Sequence, residues 1–196
     1  MRAALSDEIT KAIAELNETP ARPKPVHRCR VHIKRARALA RVGRACAPGL
    51  SDVFNETARS VMRALAQTRD LAALGEYART LSKRSGKKQA AALLIVAEKF
   101  DAMRAACPPL NLDAIRAGLR DLLALAQVWP EASPRQIEKG ADRIAWRARV
   151  ACRRGRGADA PARRHEWRKR EKDRLYAALL LGKAWPGRSR TPRRHG

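Results

Sequence analysis

Apolar residues recur every three or four positions along most of the chain, and nowhere do they alternate with period two over a useful length. Residues 5–18 open this rhythm, with apolar positions at 5, 9, 13 and 16. A proline-rich run then interrupts it. Pro25 suits the first turn of a second helix that reads on to about residue 46, where Pro48 and Gly49 close it. Ser51 is the candidate cap of a third helix reaching about residue 83, with Gly75 as a candidate kink. Gly86 separates a fourth, about 87–106, which Cys107, Pro108 and Pro109 stop. A fifth covers about 112–128. Ser133, Pro134 and Gln136 form a start signal for a sixth, to about 154: a capping serine, a proline at the first helical position and a glutamine three after the cap. A last helix is expected over about 161–184. The pattern predicts an all-α chain with short connections. Residues 185–196 carry no apolar pattern and are expected to form a disordered basic tail.

Composition agrees with helices: alanine and leucine dominate the apolar residues, and the four Trp, two Tyr and two Phe are the only aromatics. Charge adds a constraint on partners. Lys and Arg number 43 against 19 Asp and Glu, a formal charge of +24. The excess is spread out, with 11 basic and 4 acidic residues in 1–50 and 12 and 4 in 159–196, so the folded body itself is basic. Such a body repels itself unless something negative is near, which points to nucleic acid, polyphosphate, an anionic membrane surface or an acidic protein. The four cysteines show neither C-x-x-C pairing nor zinc-finger spacing to histidine and read as reduced thiols. The first ten residues lack the apolar stretch of a secretory signal. The longest apolar run, 90–97, falls short of the ~20 residues needed to cross a bilayer. A cytoplasmic protein without a membrane span is the expectation.

The segment 26–44 carries the chemistry. At ~100° per residue, His27, Arg30, Lys34, Arg37 and Arg41 share one arc of ~80°. Val26, Cys29, Ile33, Ala36 and Ala40 flank that row on one side; Val31, Ala38 and Val42 flank it on the other. A solvated face would lie opposite a single apolar stripe. A basic row between two apolar shoulders instead borders a groove between packed helices, leaving Arg28, His32 and Arg35 as the outer face. Stacking cations at this spacing costs the helix a few tenths of a kcal/mol per pair, a cost that a bound anion offsets.

The spacing His-x-x-Arg-x-x-x-Lys returns as His165, Arg168 and Lys172, starting 138 residues after His27. That row continues with Leu175 and Leu179, so it is basic only in its first half. Two copies suggest an internal duplication and a pseudo-two-fold arrangement, with two basic rows facing one cavity. Arg135, Lys139, Arg143 and Arg147 step by four along the sixth helix, as Arg59 and Arg63 do on the third.

The stretch from His27 to Leu39 resembles the opening motif of the CHAD family, the helical domain named for its histidines. Arg69 and Asp70 resemble that family's Arg-Asp pair, Gly140, Arg143, Arg147 and Arg149 its arginine-rich penultimate helix, and residues 165–176 its second histidine motif. The resemblance implies two pseudo-symmetric helical bundles, about 1–106 and 110–184, around a basic central groove or pore, binding of inorganic polyphosphate, association with polyphosphate granules, and ligand contacts from His27, Arg30, Lys34, Arg37, Arg143, Arg147, His165, Arg168 and Lys172. Arg41 joins them as a member of the first row. Asp173 stands where a base is expected, with Arg170 or Arg174 as its expected partner.

Polyphosphate offers about one charge per phosphate and no bases to read, which suits arginine forks and lysine point charges. His27 and His165 would add hydrogen bonds to phosphate oxygens, or else merely pack. The alternative partner is RNA or DNA, against which stands the lack of a visible stacking platform. A phosphohydrolase is the third reading. Hydrolysis needs metal-binding carboxylates or a placed base, and Glu166 and Asp70 are the only acids inside the motifs. The expectation is a binding protein, not an enzyme, with no cofactor.

Overall fold

The computed structural model describes residues 1–18, 23–156, 160–182 and 185; of the expected tail, only Trp185 is among them, packed against the protein, and 186–196 lie outside. The described residues form eight α-helices and no strand, as the apolar period predicts: α1 (Arg2–Glu18), α2 (Pro23–Val42), α3 (Pro48–Ala64), α4 (Ala66–Ser82), α5 (Lys87–Ala105), α6 (Leu112–Gln127), α7 (Pro134–Gly155) and α8 (Pro161–Leu181). A short 3-10 turn, Gly43–Ala45, follows α2.

The starts follow local chemistry. Ser133 and Gln136 make the reciprocal capping box read from the sequence, at 3.3 and 2.9 Å. The Asn111 side chain accepts from the Ala114 amide at 3.0 Å at the head of α6. The third segment differs from expectation. It starts at Pro48, so Ser51 is a buried helical residue and not a cap. It breaks at Leu65 and not at Gly75, because Leu65 is fully buried in the core and pins the end of α3 while α4 departs. Gly75 lies inside α4, where a Cβ would stand 3.6 Å from the Ala97 carbonyl of α5.

Two apolar clusters organise the chain. The larger joins α1, α2, α3 and α6 around Leu5, Ile9, Ile33, Phe54, Leu119 and Trp129, all fully buried. Phe54 and Trp129 meet edge to face, with ring centroids 5.9 Å apart, the arrangement their quadrupoles favour. The smaller joins α2, α7 and α8 through Ala38, Val42, Ile144 and Ala177. Gly140 permits this second packing, since a Cβ there would sit 2.1 Å from the Val42 carbonyl oxygen. The helix α2 is therefore the shared element, with one flank in each cluster. The helices α4 and α5 pack mainly on each other.

A basic cleft between α2, α3, α7 and α8

The two shoulders of α2 land in different cores. Val26, Cys29, Ile33, Ala36 and Ala40 enter the larger cluster, Ala38 and Val42 the smaller. Burial pushes the Cys29 thiol up to about 12, so it stays a protonated core residue. The row between the shoulders runs along a seam between packed helices, and the 14 helical steps from His27 to Arg41 span ~21 Å.

Each member of the row meets a different neighbour. His27 is exposed, near the start of the helix. Arg30 is 12% exposed; its guanidinium donates to the Met62 carbonyl of α3 at 2.8 Å and lies 3.9 Å from Asp70 of α4. Arg30 thus ties three helices together, and Asp70 is the acid that the Arg-Asp motif supplies; nothing is described of the Arg69 side chain. Lys34 is half-buried. Arg37 donates through Nε to Asn55 Oδ1 at 3.4 Å. Arg41 pairs with Asp173 of α8.

Arg28, His32 and Arg35 are not a purely solvated face, although Arg28 is exposed. They lie against α1 and its carboxylates. Arg28 pairs with Glu15 at 2.6 Å, while His32 Nδ1 and an Arg35 nitrogen stand 2.7 and 3.7 Å from the two oxygens of Glu8. Glu8 is 2% exposed. A buried carboxylate needs such partners, and it brings cations to a face the residue pattern had assigned to solvent.

Beyond Arg41 the seam opens into a cavity of about 260 Å³ lined by Arg41, Arg44, Arg59, Arg143, Arg147 and Arg170, with Asp52 and Asn55. Carboxylates hold part of this charge. Arg44 pairs with Asp52 and Arg59 with Glu56. Asp173 holds Arg41 and, at 3.4 Å, Arg170, which also meets Glu166 at 2.5 Å. Arg174, the other candidate partner of Asp173, pairs with Glu171 instead. Arg143 and Arg147 form no ion pair among the described residues.

The crowding shows in the pKa values. Burial is the main cause that lowers Arg37, to about 10, followed by neighbouring Arg41; Asp173 works in the opposite direction. Arg41 is lowered by burial despite Asp173. Arg147 is lowered by burial and then by Arg170, Arg41 and Arg143. Arg37 remains protonated at neutral pH, so the folded protein holds close cations whose repulsion a bound anion relieves.

The second copy of the motif behaves differently. On α8 the residues turned toward α2 and α7 are Glu166, Arg170, Asp173 and Ala177, within ~60° of one another. His165, Arg168 and Lys172 lie roughly 140° further round and are exposed. The two motif helices do pack on each other, but only the first row lines their junction. Arg41, Arg143 and Arg147 are thereby brought into one cavity, with Arg37 beside Arg41; His27, His165, Arg168 and Lys172 do not line it. Arg44 and Arg170 of the cleft were missed as ligand residues, and Arg59 was noted only as a basic step. Arg44 follows Arg41 by three, and Arg170 precedes the apolar Ala177 by seven, which puts it on the buried face.

Among the described residues no group of three or more His, Cys, Asp or Glu is placed to hold a metal ion, and no helix is long and apolar enough to cross a membrane. The fold and the cleft together define an all-α protein built around an arginine-lined interhelical cavity. The chain belongs to the CHAD domain family, whose model matches residues 3–195, nearly its whole length. No curated protein and no solved structure matched it.

Proposed function

We propose that this protein binds inorganic polyphosphate in the arginine cleft and holds the chain without cleaving it, which would place it on polyphosphate granules in the cytoplasm. The observation that carries this reading is the pair Arg143 and Arg147, which have no carboxylate partner among the described residues and share one cavity with four further arginines. A chain bearing one charge per phosphate neutralises several of these guanidiniums at once, each through a planar fork that fits two phosphate oxygens. Membership of the CHAD family supports the same ligand class. The carboxylates at the cleft, Asp52 and Asp173, are taken up by Arg44, Arg41 and Arg170, which supports holding over hydrolysis, because metal-assisted phosphate chemistry requires oxygen ligands.

The cleft contacts in this reading are Arg37, Arg41, Arg44, Arg59, Arg143, Arg147 and Arg170. Arg30 acts chiefly by fixing α2 to α3 and α4. His165, Arg168 and Lys172 touch only a chain long enough to pass around α8. The deciding experiment is a titration with long-chain polyphosphate at several salt concentrations, with single-stranded RNA of equal charge alongside. Counterion release makes the affinity fall steeply with salt, and polyphosphate binds more tightly than RNA at each one. Equal or tighter binding of RNA would instead assign the cleft to nucleic acid.

A further inference from the structure

The arginine cleft does not end at α8. Arg147 and Arg170 also line a second, larger cavity of about 730 Å³ between α7 and the start of α8. Its character is different. Trp146, Val150, Ala151 and Ala162 give it apolar surface, while Arg154, Arg163 and Glu166, the last paired with Arg170, line it with the two shared arginines. Trp146 is 55% exposed, although it directly precedes the cleft residue Arg147. An inorganic phosphate chain gains nothing from an indole face or an apolar floor. A ligand that joins a phosphate chain to a flat aromatic group gains from both the apolar wall and the arginines, and ligand cavities commonly measure roughly 300–1,000 Å³.

We infer that the second cavity takes the base of a nucleoside triphosphate, stacked on Trp146, with its phosphates running past Arg147 and Arg170 into the arginine cleft. This rests on the anion-binding reading of that cleft and adds a recognition element to it. Bases stack on exposed aromatic rings whatever their sequence identity, and arginines beside the ring hold the phosphates in place. The sequence concealed the arrangement because Trp146 is one of few scattered aromatics, and only the packing of α8 on α7 turns it into a cavity wall.

Calorimetric titration of the full chain with tripolyphosphate and with a nucleoside triphosphate, both free of divalent cations, separates the two readings. The nucleoside triphosphate carries no more charge than tripolyphosphate, so charge alone gives it no advantage. The expected result is binding of both, with the nucleoside triphosphate tighter by about five-fold or more, the lower end for one base on one ring. Trp146→Ala should abolish that preference and leave tripolyphosphate binding intact, while Trp146→Tyr should keep most of it. Exposure of Trp146 makes unfolding by either change unexpected, and thermal melts check this. Equal affinity for the two ligands, or a preference that survives Trp146→Ala, overturns the inference while the cleft reading stands. Failure of tripolyphosphate itself to bind defeats the cleft reading. A single-stranded oligonucleotide that outcompetes the nucleoside triphosphate through Trp146 overturns the inference in favour of nucleic acid.

Discussion

The helices α2 and α8 carry the same spacing of histidine, arginine and lysine, and they put it to opposite uses. On α2 the row runs along a seam, with Arg30 12% exposed and Arg41 paired across the junction with Asp173. On α8 the matching His165, Arg168 and Lys172 face solvent, and the junction is filled by Glu166, Arg170 and Asp173. The difference lies in the neighbours of each row. The row on α2 has apolar residues on both sides, which two separate cores claim. Around α8 the buried position nearest the motif is Ala177, on the other side of the helix. A repeated motif thus fixes spacing, while burial of the flanking apolar residues fixes which way the motif points.

The largest effect should come from separating the two rows directly. Arg143→Ala combined with Arg147→Ala removes two unpaired cleft cations, each worth roughly 1.5–3 kcal/mol in charge-assisted hydrogen bonds, so polyphosphate affinity should fall at least ten-fold. Arg168→Ala combined with Lys172→Ala should change it by less than about three-fold, as expected for screened surface charges. Filter binding or calorimetry at one fixed salt concentration reads both.

Next in size is the packing that makes the junction. Gly140→Ala forces a methyl against the Val42 carbonyl, 2.1 Å from the ideal position of the new carbon. It should cost about 2 kcal/mol in chemical denaturation and weaken polyphosphate binding by spreading α7 from α2.

A smaller effect, of the opposite sign, is expected at Asp173. This carboxylate competes with the ligand for Arg41 and Arg170. Asp173→Asn should tighten polyphosphate binding by about three-fold, in keeping with a partly exposed pair, and should lower the melting temperature of the free protein.

The smallest change tests the price of the buried row itself. Arg37 is held to about 10, below the ordinary arginine range. The unfolded chain therefore binds the proton more tightly than the folded one. The charged side chain costs stability at every pH below about 10, and the cost fades as pH rises from there toward the ordinary arginine range. Arg37→Met should stabilise the free protein at pH 7 by up to ~1 kcal/mol, and thermal melts should show added polyphosphate stabilising the variant less than the parent.

Much of the fold was legible because it is periodic. The seven expected segments correspond to eight helices, the extra one created where Leu65 anchors in the core, a long-range event no local signal announces. The groove beside α2 was legible for the same reason: two apolar shoulders demand two partners. The role of Arg28, His32 and Arg35 was hidden because it depends on Glu8, an acid on another helix that is buried despite its charge. The direction of the α8 motif and the exposure of Trp146 were hidden likewise, since both follow from how α7 and α8 pack. The extent of the larger core was hidden too: it runs from residue 5 through α3 to α6 and Trp129, across the middle of the chain.

The most direct test of the central claim is a footprint of arginine reactivity toward a dicarbonyl reagent, read residue by residue by mass spectrometry with and without long-chain polyphosphate. The account predicts strong protection of Arg143 and Arg147 and unchanged modification of Arg168 at one chain per protein. Protection of Arg168 with Arg143 and Arg147 still reactive would contradict it and move the binding surface to the outer face of α8.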